Sequence, residues 1–481
     1  MRIALVNPIA RQCEGYHTIG TRIPQLGLQV LARLVPPEHE VEIIDEIFGL
    51  DQTEALLTGR GYDLVGMTAY TSGATRAYEL AAVCRRRGIR CIMGGPHAWA
   101  VPDEAAGHFD SVAVGESDEI WPRIIADAAA GRLRKRYDGS WPQLARGYGA
   151  GAQSIQPING RYDVGCIQTS RGCPLGCDFC SVTRFNGKRI RRRRIADILQ
   201  EWNSTTRRFL FVVDDNFYGV GRRHAQWAKR LLRAIIRHGK RRLWFSQTTL
   251  NMGADLEGLR LAYRAGCRGM LVGFESFNAE SLRKYQPGLK TRLLGRYQEL
   301  VNGFHRAGIA VFGGFIIGAD EDDEDTAAET ALKAVQLGVD IIQVTNLTPL
   351  PGTDLYDRLG REGRLIATGY PRDWERYTFI ETVYRPMGMT AQRLDETMFE
   401  LRKAAAEEPW VWKRTLRTLW LTRSLSTALF VHGMNRGWAR MARNQVPRDA
   451  ERFGRGTASE QRARTIRRSF SLRCGALGAP A

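Results

Sequence analysis

Three cysteines, Cys173, Cys177 and Cys180, fall within the stretch SRGCPLGCDFC. Thiolates hold iron–sulfur clusters, usually four to a cluster, and structural zinc also takes four ligands. A C-x3-C-x2-C loop offers three. Such a loop can wrap a [4Fe–4S] cube and leave one iron without a protein ligand, open to a substrate or cosubstrate. The alternatives are a zinc knuckle with a distant fourth ligand, or three unrelated thiols. Zinc motifs usually pair C-x2-C with a second pair further on, and none follows here, which favours the cluster. Gly172 and Gly176 suit a tight loop, and Phe179 is placed to shield the cluster. The other six cysteines, Cys13, Cys84, Cys91, Cys166, Cys267 and Cys474, lack ligand-type spacing and read as buried or incidental thiols. An odd count of nine, scattered over a long chain, speaks for reduced thiols or a metal site, not a disulfide framework.

The cysteines need a rigid frame, and the alternation of apolar runs supplies one. At 481 residues the chain is long enough for two or three domains. Within residues 1–135, strand-like runs at 3–8, 41–45, 63–69, 89–95 and 111–116 alternate with helical stretches such as GATRAYELAAVCRRRG. Continuous apolar strands in βαβ order predict a doubly wound, Rossmann-like parallel sheet, an α/β fold with helices on both faces. Ligands of such sheets sit beyond the carboxyl ends of the strands, which here read GMTAYTSG, GGPHAW and GESDE. No G-x-G-x-x-G follows the first strand, so a dinucleotide is not indicated. Residues 136–163 read as a linker rich in Gly, Pro and Gln. Within 164–360, six strands at 165–170, 209–215, 243–248, 269–276, 309–318 and 341–349 alternate with helices, the pattern of a partial (β/α)6 barrel. Chemistry in such barrels sits at the C-terminal ends of the strands, and the cysteine loop directly follows the first. Residues 361–445 read as a mixed, helical extension, and 446–481 as a disordered basic tail.

A composition of 43% hydrophobic and 25% charged residues is that of a soluble globular protein. The absence of an uncharged apolar run of 18 residues or more argues against a transmembrane helix, and the apolar run at the N-terminus is too short for a signal-peptide core. The expected compartment is the cytoplasm. A net charge of +19 invites a nucleic-acid reading. Residues 401–481, however, hold 17 basic and 5 acidic residues, which is +12 of that total. The excess is a property of the tail, and nucleic acid ranks last among partners. The tail also sets Trp410, Trp412, Trp420 and Trp438 among arginines and lysines. The preferred reading is a helical cap on the barrel with a solvated basic face; the alternative is peripheral contact with an anionic membrane at its inner face.

With Phe179 in the position before the last cysteine, the Cx3CxΦC loop on the first βα turn resembles the radical S-adenosylmethionine (SAM) enzymes. GFIIGADE (residues 314–321) is similar to that family's fifth-strand segment, VGFES (272–276) to its fourth and LTPLPGTDLY (347–356) to its sixth. A Rossmann-like domain ahead of such a barrel looks like the cobalamin-binding subfamily, which includes hopanoid and bacteriochlorophyll methylases and the anaerobic magnesium-protoporphyrin ester cyclase. The resemblance covers roughly residues 1–400. It departs in one respect: the D-x-H-x-x-G motif whose His ligates cobalt in many cobalamin domains is absent. His97 in GGPHAW is a candidate axial ligand, although a His at a strand end more often packs.

The resemblance implies a [4Fe–4S] cluster on Cys173, Cys177 and Cys180, with the open iron taking the amino and carboxylate groups of SAM. Reductive cleavage would give a 5′-deoxyadenosyl radical, with electrons from an external donor such as flavodoxin or ferredoxin. Glu275 and Ser276 would contact the methionine or ribose portion, and Gly314, Ile316 and Gly318 the adenine. Asp214 and Asp215 would orient polar cosubstrate groups, or else simply end a strand or cap a helix. Gln25, Leu26, Gly27, Thr68, Ala69, Gly94, Gly95 and Gly115 would line the corrin. The implied reaction is hydrogen abstraction from a small-molecule or lipid-like substrate followed by methyl transfer from methylcobalamin. Ring formation or oxidation without methyl transfer is the closest alternative. A tRNA methylthiotransferase would carry three further N-terminal cysteines for a second cluster, and Cys13, Cys84 and Cys91 are far apart in sequence.

Overall fold

The computed structural model describes residues 1–10, 21–144, 155–285, 288–405 and 407–453. Its first sheet is wholly parallel, in the order β2-β1-β3-β4-β5-β6. The strands are β1 (Arg2–Asn7), β2 (Glu40–Asp45), β3 (Leu64–Thr68), β4 (Arg90–Gly94), β5 (Ser111–Val114) and β6 (Arg136–Asp138). Side chains of a strand alternate between faces, and both faces of this sheet are buried. Ala4 and Val6 of β1 join one core with Ala77 and Leu80, while Ile3 and Leu5 join the other with Trp121 and Ile124. That two-sided burial is why the strands read as unbroken apolar runs. The chain leaves β1 for β2 on one side and for β3 on the other, which makes a topological switch point at the β1 and β3 ends.

Two boundaries differ from the sequence reading. Residues 136–138, assigned there to the linker, add a sixth strand, because Arg136, Tyr137 and Asp138 pair with Val112, Ala113 and Val114. Later linker residues return to the edge strand: Ile158 N donates to Ile43 O at 2.8 Å, and Tyr162 Oη to Asp45 Oδ2 at 2.7 Å. The helix Leu425–Phe453 runs past residue 446, where the tail was expected to begin; residues 454–481 lie outside the described residues.

The second sheet is also parallel, and its strands stand in sequence order: β7 (Gly165–Ile167), β10 (Phe209–Val212), β11 (Leu243–Thr248), β12 (Cys267–Glu275), β13 (Ala310–Ile317) and β14 (Ile341–Asn346). Six strands with intervening helices make the expected partial barrel. A two-stranded antiparallel ribbon, β8 (Ser170–Arg171) with β9 (Arg191–Arg192), interrupts it after β7.

The helices Glu408–Thr422 and Leu425–Phe453 form a hairpin on the strand starts. Phe430 stacks on Phe209 at 5.7 Å and packs against Phe245 at 5.8 Å, in the space a side chain at Gly269 would need. Asp340 is the polar bolt. Its buried carboxylate takes hydrogen bonds from His305 Nε2 (2.8 Å), Val311 N (2.8 Å) and Thr418 Oγ1 (2.5 Å), and its carbonyl one from Asn435 (3.1 Å). Burial works to raise the Asp340 pKa, but His305, Thr418 and Arg417 hold it below the ordinary carboxylate value. Asp340→Ala strands several buried donors and is expected to cost about 3–5 kcal/mol in denaturant unfolding. The contribution of Asp340 is present above its unfolded pKa of about 3.9. It is lost only as the pH falls through the lower folded value.

Candidate active site between the two sheets

The β8–β9 ribbon brackets residues 172–190, the loop that carries the three cysteines. Asp214 and Asp215, just past β10, fix its base in different ways, because successive residues of an extended chain point to opposite sides. The fully buried Asp214 carboxylate accepts from Thr169 N at 2.6 Å, Thr169 Oγ1 and Ser170 Oγ at 2.8 Å. It anchors the approach to the loop and faces neither cavity, which corrects its expected place beside a cosubstrate. Asp215 accepts from Gly172 N at 2.8 Å and Asn186 Nδ2 at 3.1 Å, and it lines the large cavity described below. Burial raises its pKa to about 6.

The thiols of Cys173, Cys177 and Cys180 are half-buried and within electrostatic reach of one another. Burial pushes all three pKa values up, that of Cys180 to about 11, while Lys290 draws Cys173 and Cys177 down. Among the described residues no three His, Cys, Asp or Glu side chains converge closely enough to hold a single metal ion. Three thiols on one loop, within electrostatic reach of one another and with no fourth protein ligand among the described residues, fit a four-iron cube. Of the six remaining cysteines, Cys84, Cys91, Cys166 and Cys267 are buried core thiols as expected, and Cys13 and Cys474 lie outside the described residues.

A small cavity adjoins the loop, lined by Phe179, Glu275, Ser276, Tyr285, Ile316 and Leu347 among others. Four of these carry expected roles, so the structure brings them together. Glu275, at the end of β12, has a φ of 67°, a conformation that non-glycine residues rarely adopt and that gathers at functional sites. Its carboxylate takes a 2.5 Å bond from Lys290 Nζ, and Lys290 is itself buried. Gly314 and Gly318 do not line this cavity. The φ of 106° at Gly318 serves packing instead: Tyr384 and Leu394 occupy the space of a side chain, and Tyr384 Oη donates to the Gly318 carbonyl. The expected adenine contact from these two glycines therefore finds no support in the cavity lining.

A second cavity, of about 570 Å³, lies between the strand ends of the two sheets. Gln25, Leu26, Gly27, Thr68, Gly94, Gly95 and Gly115, the residues proposed for a corrin, line it from the first sheet; Ala69, of the same set, is buried and does not line it. Gly95 has a φ of 88°, and a side chain there would collide with Thr68 Oγ1. Tyr70 is 61% exposed and lines the cavity together with Gln25. From the barrel come Gln168, Arg171, Val182, Phe185, Asn186, Phe211, Asp215 and Gln247. His97 is not among the lining residues. It is fully buried, 3.0 Å from Tyr78 Oη and edge-on to Trp374, which is the packing role.

Sequence reasoning passed over the residues that join the halves. Glu116, just past β5 and almost wholly buried, accepts from Arg171 at 2.7 Å and from Arg191. One arginine lies on each strand of the ribbon, so a carboxylate of the first domain grips both ends of the cysteine loop. Asp118 adds a second hold on Arg171 at 2.7 Å. The signal available was GESDE at a strand end, but nothing local told which cations it would meet. Lys290 carried no signal at all.

Two families match this chain: the B12 binding domain over residues 16–125 and the Radical SAM superfamily over residues 167–334. Among curated relatives, the bacteriochlorophyllide d C-8(2)-methyltransferase of Chlorobaculum tepidum is 29% identical over 431 residues, covering 83% of this chain and 88% of that protein. The C-12(1)-methyltransferase of the same organism is 27% identical, covering 81% and 84%. Among solved structures, the cobalamin-dependent SAM radical enzyme OxsB, with aqua-cobalamin and SAM bound, superposes with a TM-score of 0.63 at 14% identity, over 98% of this chain and 83% of that one. That likeness is one of fold.

Proposed function

This chain belongs to the cobalamin-binding radical SAM enzymes, and we propose that it is a C-methyltransferase acting on a small molecule. When bound, a reduced cluster would supply the cleavage of SAM and hydrogen abstraction from a substrate carbon, and cobalamin would supply the methyl group. Cys173, Cys177 and Cys180 would hold the cluster. Glu275, fixed by Lys290, and Ser276 would meet the SAM bound at the open iron, with Phe179 and Ile316 closing the cavity around it. The glycine-rich strand ends of the first sheet and Gln25 would seat the corrin, and Asp215 and Asn186 stand in the space between.

One observation carries this reading. The loop that bears the three thiols is a wall of both cavities: Phe179 lines the small one, and Val182, Phe185 and Asn186 line the large one. SAM held on one side and cobalamin on the other would then both face a substrate across a single loop.

The test is anaerobic purification and reconstitution with hydroxocobalamin and methyl-labelled SAM. Roughly four irons and one corrinoid per chain are expected, with 5′-deoxyadenosine released on reduction by flavodoxin or ferredoxin and product heavier by one labelled methylene. A chain that binds no corrinoid sinks the methylase reading and leaves the radical reading standing. An unlabelled, ring-closed or oxidised product would establish the cyclase-type alternative.

A further inference from the structure

We propose that the outer face of the C-terminal helical hairpin docks on an anionic membrane surface. The inner face is taken up by the barrel, through Phe430, Asp340 and the carbonyls of Val335 and Val339, which accept from Arg417 at 2.8 Å. The outer face carries Trp412, Leu416, Leu419, Trp420, Leu425 and Leu429, each 37–64% exposed. These are half of the twelve exposed large apolar residues found among the described residues, so the patch is concentrated and not scattered. The spacings 412-416-420 and 425-429 set one stripe on each helix. Arg423, left-handed at φ 50°, turns the chain so that the stripes lie side by side, and Trp412 meets His432 at 4.4 Å.

Charge decides what covers the patch. Past Leu429 the same stripe continues as exposed Gly433, Arg436, Arg440 and Arg443. Residues 409–443 contain seven Lys or Arg and no Asp or Glu; Arg414 and Arg417 turn inward, and Lys413, Arg423, Arg436, Arg440 and Arg443 are exposed. The carboxylate at the rim, Glu408, is paired with Arg443 at 3.3 Å. An apolar stripe with tryptophans, continued by the exposed Arg436 and Arg440, matches the acyl boundary and the phosphates of an anionic bilayer together. Among the described residues no helix is long and apolar enough to cross a membrane, so the contact lies in the plane of the interface. The hairpin sits on the strand starts, at the opposite end of the barrel from the cavities. Docking there anchors the protein without entering the site, and the inference stands apart from the methylase reading.

Flotation of the full chain with vesicles of phosphatidylglycerol and phosphatidylcholine, against phosphatidylcholine alone, tests it. Binding to the anionic vesicles only, weakened by salt, is expected. Arg436→Gln with Arg440→Gln should lower the vesicle affinity about thirtyfold, and Leu416→Glu with Trp420→Glu should abolish flotation. Both pairs should keep the wild-type melting temperature and cluster content, since the replaced side chains face outward. The proposal is overturned by equal binding to neutral vesicles or by no binding. It is equally overturned by a vesicle-free dimer that Leu416→Glu with Trp420→Glu dissociates, which would make a second copy the occupant. Flotation that appears only after residues 454–481 are removed would assign the face to the chain's own tail.

Discussion

Replacing Cys177 with alanine is expected to abolish SAM cleavage. Outer-sphere partners of metal ligands already cost about 10–100-fold in affinity or activity when removed. Loss of one of only three thiolates should therefore lower 5′-deoxyadenosine formation more than about a hundredfold. It should also take iron content well below the roughly four per chain of a [4Fe–4S] protein. Cys267→Ala is the matched control: that thiol is buried in the barrel core, burial pushes its pKa up to about 12, and it touches neither cavity. Its loss should shift stability modestly and leave iron content alone. Equal iron and equal cleavage in Cys177→Ala would remove the cluster from the loop and the radical reading with it. Corrinoid binding by Cys177→Ala should survive, because Cys177 does not line the large cavity and the glycine-bearing strand ends on one side of it belong to the other sheet.

What could be read from the sequence divides along one physical line. The cysteine loop, the strands that hold it and the glycine-bearing strand ends were legible because each is local: ligand spacing, apolar periodicity and turn chemistry need no knowledge of distant partners. Asp214 and Asp215 were legible as a strand end but not as two different functions, since which of two neighbours faces the cavity depends on where the strand ends and how it twists. Gly318 looked like a cofactor glycine, yet its backbone conformation answers to Tyr384, a residue 66 positions later. Lys290 became part of the site only through its pairing with Glu275, which depends on β12 ending in a left-handed residue. Arg136–Asp138 was too short to register as a strand, and exists because β5 offers it an edge.

Substituting Glu116 is the sharpest test of how the two halves cooperate. Glu116→Ala removes a buried carboxylate that neutralises Arg171 and Arg191 and leaves Arg191 with the carbonyls of Pro142 and Asn186 as its other bonding partners. Breaking such a pair costs about 3–5 kcal/mol, because the charge left behind stays out of water. The same cost is expected of Asp340→Ala, so stability alone cannot distinguish the two. Position does. Asp340 bolts the hairpin to the strand starts, far from either cavity, and its loss should leave corrinoid affinity and iron content of the folded protein near wild type. Glu116 grips both strands of the ribbon that brackets the thiols and itself lines the large cavity. Glu116→Ala should therefore weaken corrinoid binding and lower cluster occupancy together, under conditions where the chain remains folded. A double-mutant cycle with Arg191→Met should show a coupling of about 1–3 kcal/mol in unfolding and an equal-signed coupling in corrinoid affinity. If the two ligand sites respond independently to Glu116→Ala, the loop is not their shared wall, and the cavity between the sheets is not where the radical meets the methyl donor.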